Sequence, residues 1–378
     1  MAATTVAKKA VANKKTKKSA SMVKAKALAI SRLNVGRPSI GRPKRPFAID
    51  VHAHISDPMV GKFIREKSGR TGGGFVTTSG VNKAMIAAQK RHMDYVRERQ
   101  RDIPLRLREL DAMGIDMQVI SSSPAAGCYW ADGKTGLEMA AHNNDLIAET
   151  VAKYPDRFVG VGTVPMQDAT LAVKELRRCV LELNLRGVII GSVVEGIELG
   201  DKKLWKFWKE LETLDVPCYI HPDGFTHPQR LGKYYMWNTI AQPLEEALAM
   251  SSFIYEGVMD AFPKLKILIC HGGGYLPFYN GRADMGYIAR PETRGKASRK
   301  PSDYFKRFYY DTVFYDDKML EFLVERVGDS KILMGTDFPH FAQTWNGAEF
   351  IAKAPSLSQE TKERILSKNA AKLFGIRI

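Results

Sequence analysis

From residue 47 onward the chain alternates short apolar runs with longer amphipathic segments, and it does so eight times. The runs fall at 47–55, 117–122, 158–164, 187–192, 217–221, 266–271, 308–313 and 331–337. Most are apolar almost without interruption, as expected of strands buried on both faces of a parallel sheet. The segments at 137–153, 169–184, 202–214, 244–262 and 318–327 carry helical periodicity. In 169–184, for example, Leu171, Leu176, Val180 and Leu183 fall near one face of a helix. Eight strand–helix alternations in an α/β chain predict a closed (β/α)8 TIM barrel over an open sheet.

Two regions depart from this repeat. About sixty residues, 56–116, separate the first two strands and include the Gly-rich run Ser68-Gly-Arg-Thr-Gly-Gly-Gly74 and a charged helical pattern at 90–108. An insertion after the first strand lies on the face where barrels of this type place their chemistry, so it is expected to shape substrate choice. Residues 1–46 hold thirteen Lys and Arg and no acid; subtracting them from the net charge of +16 leaves +3 for the rest. The basicity therefore belongs to a flexible extension, 1–46, and no specific nucleic-acid partner is expected of the barrel unit, 47–378. That extension lacks the compact apolar stretch of a secretory signal. No run approaches the roughly 20 apolar residues that span a bilayer. Cys128, Cys179, Cys218 and Cys270 are widely spaced, which reads as reduced thiols in a cytoplasmic protein.

The histidines locate the chemistry. His52 and His54 close the first strand in Ile49-Asp-Val-His-Ala-His54, and His221 ends the fifth in Cys218-Tyr-Ile-His-Pro222. His271 ends the sixth in Leu268-Ile-Cys-His-Gly-Gly-Gly274, and Asp337 ends the eighth in Met334-Gly-Thr-Asp-Phe-Pro339. Residues i and i+2 of a strand point to one face, so both imidazoles of H-x-H can enter the barrel mouth. A lone strand-end histidine is ordinarily structural, but five such groups at four strand ends are not explained by packing. Three neutral imidazoles and a carboxylate suit one divalent ion, Zn²⁺ before Mn, Fe or Co. His92 and His142 sit on helical patterns as surface or satisfied interior residues, whereas His227 and His340 lie in loops that could line the site.

These residues resemble the amidohydrolase superfamily, and within it the 2-amino-3-carboxymuconate-6-semialdehyde decarboxylase group. The resemblance runs from about 47 to 375, through Arg106-Leu-Arg-Glu-Leu-Asp-Ala-Met-Gly114, Tyr129-Trp130 and Asn143-Asn-Asp145. It continues through Tyr154-Pro-Asp-Arg-Phe-Val-Gly-Val-Gly-Thr-Val-Pro-Met166, His271-Gly-Gly-Gly-Tyr-Leu-Pro-Phe278 and Gly281-Arg282. The resemblance implies that His52, His54, His221 and Asp337 are the ligands of a zinc ion with its water. It implies that His271 activates that water as general base and acid, so that His271 and Asp337 are the catalytic residues. Arg282 would bind a substrate carboxylate in the neighbouring subunit's site, which implies a homodimer. The fourth strand ends Ile189-Ile-Gly-Ser192 with no Lys or Glu to bridge two metals, so one ion is expected.

The departures touch the substrate. Asp223 stands where the muconate-semialdehyde enzymes carry a tryptophan, and His340 is an addition. Arg91 and Arg97 are the candidates for a second substrate-binding arginine. The expected activity is non-oxidative decarboxylation of a small unsaturated or aromatic carboxylic acid, as in aromatic compound catabolism. The alternative is a hydrolase or hydratase of the same superfamily acting on a small carboxylate-bearing substrate.

Overall fold

The computed structural model describes residues 45–67, 83–224, 228–340 and 345–378. Its strands are β1 (Ile49–Ile55), β2 (Met117–Ser122), β3 (Phe158–Gly160), β4 (Gly162–Thr163), β5 (Val188–Ile190), β6 (Val193–Val194), β7 (Ile197–Glu198), β8 (Cys218–Ile220), β9 (Ile267–Ile269), β10 (Tyr309–Asp311) and β11 (Ile332–Leu333). β3 and β4 are one barrel strand interrupted at Val161, and β6–β7 is a small antiparallel hairpin outside the barrel. All the barrel pairings are parallel, running β1–β2–β3 and β4–β5–β8–β9–β10–β11. The ring closes where Val51 N–H donates to Met334 O (2.9 Å), Phe338 N–H to His52 O (3.2 Å) and His54 N–H to Phe338 O (2.8 Å).

Alternate residues around the ring explain the core. Ile49, Val51, Met117, Val119, Val159, Val161, Ile189, Tyr219, Leu268, Cys270 and Leu333 form one buried cluster that fills the lumen. The helix Asn369–Phe374 adds Ala370, Leu373 and Phe374 to that cluster. The opposite strand faces, including Ile120, Ile190, Ile220 and Ile269, pack with the surrounding helices in a second cluster. β1 breaks the alternation. Asp50 pairs with Gln118 but Ala53 with Ile120, so the first strand carries an extra residue there. Because side chains alternate, one extra residue exchanges the faces beyond it. Ala53 and Ile55 therefore join the outer cluster, while His52 and His54 are free to point inward.

All eight expected barrel strands are present, each trimmed at one or both ends except the second, 117–122. The trimming is sharpest at the eighth, where Asp337 lies four residues beyond Leu333 with a left-handed backbone (φ 57°). The helical pattern at 90–108 is two helices, Lys83–Arg101 and Ile103–Met113. Asp102 caps the second by accepting from Leu105 N–H at 2.8 Å, and Pro104 fits its first turn. The pattern at 244–262 likewise divides into Gln242–Tyr255 and Val258–Ala261 at left-handed Gly257. All of the expected basic extension except Arg45 and Pro46, together with the Gly-rich run and His227, lies outside the described residues. Arg45 makes a two-pronged pair with Asp116 (3.0 and 2.9 Å). No helix among the described residues is long and apolar enough to cross a membrane.

A buried polar chain lies beneath the mouth. Arg106, wholly buried, donates Nε to Gln118 Oε1 (2.8 Å) and an Nη to His54 O (2.7 Å), and its guanidinium sits 4.7 Å from the Phe338 ring centroid. Gln118 Nε2 donates to Asp50 Oδ2 (2.7 Å), which also accepts from Thr336 Oγ1 (2.6 Å). Asp50 Oδ1 accepts from the backbone N–H of His52 and of Thr336, both at 3.0 Å. Burial raises the Asp50 carboxyl to about 6, and burial lowers Arg106 to about 9 against the pull of Asp50. Truncating Arg106 strands Gln118 and the His54 carbonyl. The Arg106→Met variant is expected to lose about 2–4 kcal/mol of stability, read as a lower urea midpoint; an unchanged midpoint would contradict the network's role.

Candidate metal centre

The bulge in β1, the end of β8 and the left-handed turn after β11 bring four side chains to one point. Donor atoms of His52, His54, His221 and Asp337 lie within 4.8 Å of one another, and all four residues are buried. Asp337 Oδ1 is 3.3 Å from His52 Nε2 and 3.4 Å from His54 Nε2. The three imidazoles stand nearly perpendicular to one another with centroids 5.0–5.1 Å apart.

Each imidazole is held by its other nitrogen. His52 Nδ1–H donates to Asp311 Oδ2 at 2.7 Å, and that oxygen also accepts from Tyr219 Oη at 2.6 Å. His221 Nδ1–H donates to Pro222 O at 2.9 Å. Ser121 Oγ gives its proton to Ala53 O (3.3 Å), so it accepts from His54 Nδ1–H (3.3 Å). With Nδ1 so engaged, Nε2 of all three rings is the lone-pair nitrogen that converges on Asp337. His52 Nε2 and Asp337 Oδ1 are buried with no hydrogen-bond partner. Buried polar atoms are nearly always satisfied, and two orphaned lone-pair atoms, neither with a proton to give the other, fit a cation shared between them.

The protonation states agree. Burial lowers His54 to about 4, and burial with the neighbouring imidazoles holds His221 well below its ordinary value. Burial alone would raise Asp337, but the fields of His340, His52 and His54 keep it well below the usual carboxylate range. Neutral imidazoles and an ionised carboxylate are the ligand forms of these groups. The three N-donors and one O-donor therefore make a divalent-metal site.

His271 lies beside this cluster, its ring centroid 5.2 Å from that of His52 and 5.4 Å from that of His221. It sits on a left-handed turn (φ 48°) followed by Gly272, Gly273 and Gly274, all with positive φ. A Cβ on Gly274 would fall 2.0 Å from Pro243 O, so only glycine lets the turn seat on the preceding helix Gln242–Tyr255. His271 Nδ1 is hydrogen-bonded to Glu246 Oε1. Burial would lower this imidazole, but Glu246, with Asp311 and Asp337, raises it to about 9. His221, Cys270 and His271 also lie close enough to form a second donor group, but it shares His221 with the first. Burial holds the Cys270 thiol well above its ordinary value, and its Sγ lies 2.9 Å from Ile220 O and 3.3 Å from Glu246 Oε1.

Of the other sequence candidates, His340 packs its ring 5.9 Å from His54 and lines the site. His92 is half-buried within reach of the His340 field. Arg282 is exposed on the helix Asn280–Ala289. Arg91 and Arg97 are exposed on Lys83–Arg101, Arg97 paired with Asp94 at 3.3 Å. Sequence reasoning missed Asp311, Glu246, Ser121 and Tyr219. Asp311 ends a strand as the ligands do, and the same rule could have found it; Glu246, within a helix, gave no such signal. Two phenols also lie within the field of Asp337: burial and that carboxylate push Tyr235 up to about 12 and Tyr315 further. Each packs edge-on against an indole, Tyr235 on Trp237 and Tyr315 on Trp345.

A family model described as an amidohydrolase matches residues 49–376. A 2-amino-3-carboxymuconate-6-semialdehyde decarboxylase of Dictyostelium discoideum is 34% identical over 333 residues, 88% of this chain and 92% of that protein. The 5-carboxyvanillate decarboxylase of Sphingomonas paucimobilis superposes with a TM-score of 0.78 at 27% identity, covering 88% of this chain and 100% of that one. A dihydroxybenzoic acid decarboxylase of a Polaromonas species, solved with manganese and the inhibitor 2-nitroresorcinol, superposes with a TM-score of 0.74 at 28% identity, covering 87% and 97%.

Asp311→Asn keeps the shape of the His52 partner but removes its charge. Its affinity for Zn²⁺ or Mn²⁺ is expected to fall about 10–100-fold, measured by chelator competition with the fold monitored by circular dichroism. Unchanged affinity would show that Asp311 does not act on the metal site.

Proposed function

The chain belongs to the amidohydrolase family, and from that premise we propose that it is a non-oxidative decarboxylase of a small aromatic or unsaturated carboxylic acid. Residues 47–378 are its catalytic barrel, and one ion, zinc before manganese, is held by His52, His54, His221 and Asp337. The observation that carries this reading is an imidazole capable of holding a proton, His271, beside the buried cluster of three imidazoles and the Asp337 carboxylate.

Decarboxylation replaces CO₂ by a proton at the same carbon, so the site must stabilise negative charge and deliver that proton. A divalent ion supplies the first and lowers the pKa of a water in its shell. His271 supplies the second. Glu246 occupies its Nδ1, so the proton is gained and given at Nε2. Tyr235 and Tyr315, within the field of Asp337 and each packed edge-on against an indole, offer planar surface, and the two phenols remain neutral donors. That surface favours a planar, ring-bearing acid. The hydrolase or hydratase alternative would use the same residues, and retention of the carboxylate in the product is what distinguishes it.

Arg282 projects from its own barrel beside exposed Met285 and Ile288. We take it to anchor a substrate carboxylate in the site of a second copy, because a guanidinium pairs two-pronged with a carboxylate. The four buried, unpaired cysteines accord with a reducing, cytoplasmic setting.

A panel of hydroxybenzoates and muconate derivatives tests the reaction. Metal-loaded protein is expected to release CO₂ from at least one, and His271→Ala to lower kcat by about 10²–10⁴ with metal content unchanged. Products that retain the carboxylate would overturn the decarboxylase reading. The subunit claim has its own test. His271→Ala and Arg282→Ala chains, each inactive alone, are expected to recover activity when mixed, because a mixed dimer rebuilds one complete site. No recovery from dimers shown to have exchanged would place Arg282 outside the partner's site.

A further inference from the structure

A carboxylate buried in an apolar helix face is costly unless something requires it. Glu246 is such a group. It is wholly buried in the helix Gln242–Tyr255, on the side that carries Ala249, Met250 and Phe253 into the core. Oε1 accepts from His271 Nδ1–H and from Cys270 Sγ at 3.3 Å; Oε2 has no partner. The second interaction is weak, since Cys270 Sγ also lies 2.9 Å from Ile220 O. One good contact, to His271, is what the burial of Glu246 secures.

That contact is set by backbone packing. The turn from His271 to Gly274 rests on the first turn of the Glu246 helix, with Gly274 against Pro243 O. Gly273 N–H bonds back to Cys270 O at 2.9 Å, and Gly272 N–H reaches Asp311 Oδ1 at 3.3 Å. The turn is thus tied at one side to the helix and at the other to the carboxylate that orients His52. With both backbones fixed, His271 meets Glu246 through Nδ1 and leaves its other nitrogen toward the cluster.

We propose that Glu246 is the positioning residue for His271, its buried carboxylate fixing the hydrogen on Nδ1 so that Nε2 is the nitrogen presented to the metal-site cluster and the substrate. This rests on the decarboxylase reading for its kinetic consequence but not for the contact itself. Glutamine at 246 keeps the volume and loses the specificity: its amide can accept from Nδ1–H or donate to an Nδ1 lone pair, so both imidazole tautomers become accessible. The carboxylate permits one. Buried carboxylate–histidine pairs act in this way in other enzymes, where an amide in place of the carboxylate is damaging because the wrong tautomer forms.

The test is a double-mutant cycle between Glu246→Gln and His271→Asn on metal-loaded protein, joined to proton NMR of ¹⁵N-histidine-labelled protein with and without metal. The kinetic expectation is a fall in kcat on the order of 10² for Glu246→Gln, with KM, metal content and melting temperature close to those of the parent, and no further fall when it is added to His271→Asn. The spectroscopic expectation is a strongly downfield Nδ1 proton that disappears in His271→Asn and moves upfield in Glu246→Gln. Equal kcat in Glu246→Gln, or the same fold-loss on both backgrounds, would overturn the proposal, since a structural residue acts whether or not His271 is present. A parent protein without that downfield proton would overturn it as well, without any variant having to fold. If no acid in the panel loses CO₂ but the proton behaves as expected, the positioning contact stands and the decarboxylase reading fails.

Discussion

Closure of the barrel between β1 and the segment after β11 is the constraint on which the metal site depends. The same hydrogen bonds that close the ring, from Phe338 N–H to His52 O and from His54 N–H to Phe338 O, set the spacing of His52, His54 and Asp337. Asp50 reinforces the seam by binding the backbone N–H groups of both His52 and Thr336, and Arg106 reinforces it by holding the His54 carbonyl beneath the Phe338 ring. A charged chain at this depth would be a poor device for stability alone. Its members each touch a ligand-bearing segment, which gives the burial of Arg106, Gln118 and Asp50 a purpose.

The site uses one chemical device twice. His52 leans on the carboxylate of Asp311 and His271 on that of Glu246, each through Nδ1. Their surroundings separate the two. Asp311 also receives the Tyr219 hydroxyl and two backbone N–H groups. Burial alone would raise it, but His52, then His271 and the Tyr219 hydroxyl, hold it below the ordinary carboxylate range. Glu246 has fewer donors, and burial raises it. The carboxylate with four hydrogen-bond donors serves the proposed ligand, and the sparsely partnered one serves the imidazole that we propose handles the proton.

Much of this was legible in the sequence. Eight apolar runs gave the barrel, because buried parallel strands have a composition that survives without any tertiary information. His52, His54, His221, His271 and Asp337 stood out because strand ends are where a barrel opens. Three kinds of feature were not legible. The bulge between Asp50 and Ala53 is a matter of register between two strands, and no single segment encodes it. Asp337 reads as the end of a strand, yet the chain has already left the sheet there and Asp337 itself takes a left-handed backbone, beside the Thr336 that Asp50 holds. Glu246 looks like any acidic residue on an amphipathic helix until packing brings His271 over it. The family resemblance named the ligands without saying why they meet; the seam supplies the reason.

X-ray absorption at the metal edge of the zinc-loaded, purified protein tests the four-ligand centre most directly. The account predicts a first shell of imidazole nitrogens and oxygens at about 2.0–2.2 Å, with multiple-scattering features of three histidines and no sulfur. A shell containing sulfur at about 2.3 Å, or one without imidazole, would contradict it.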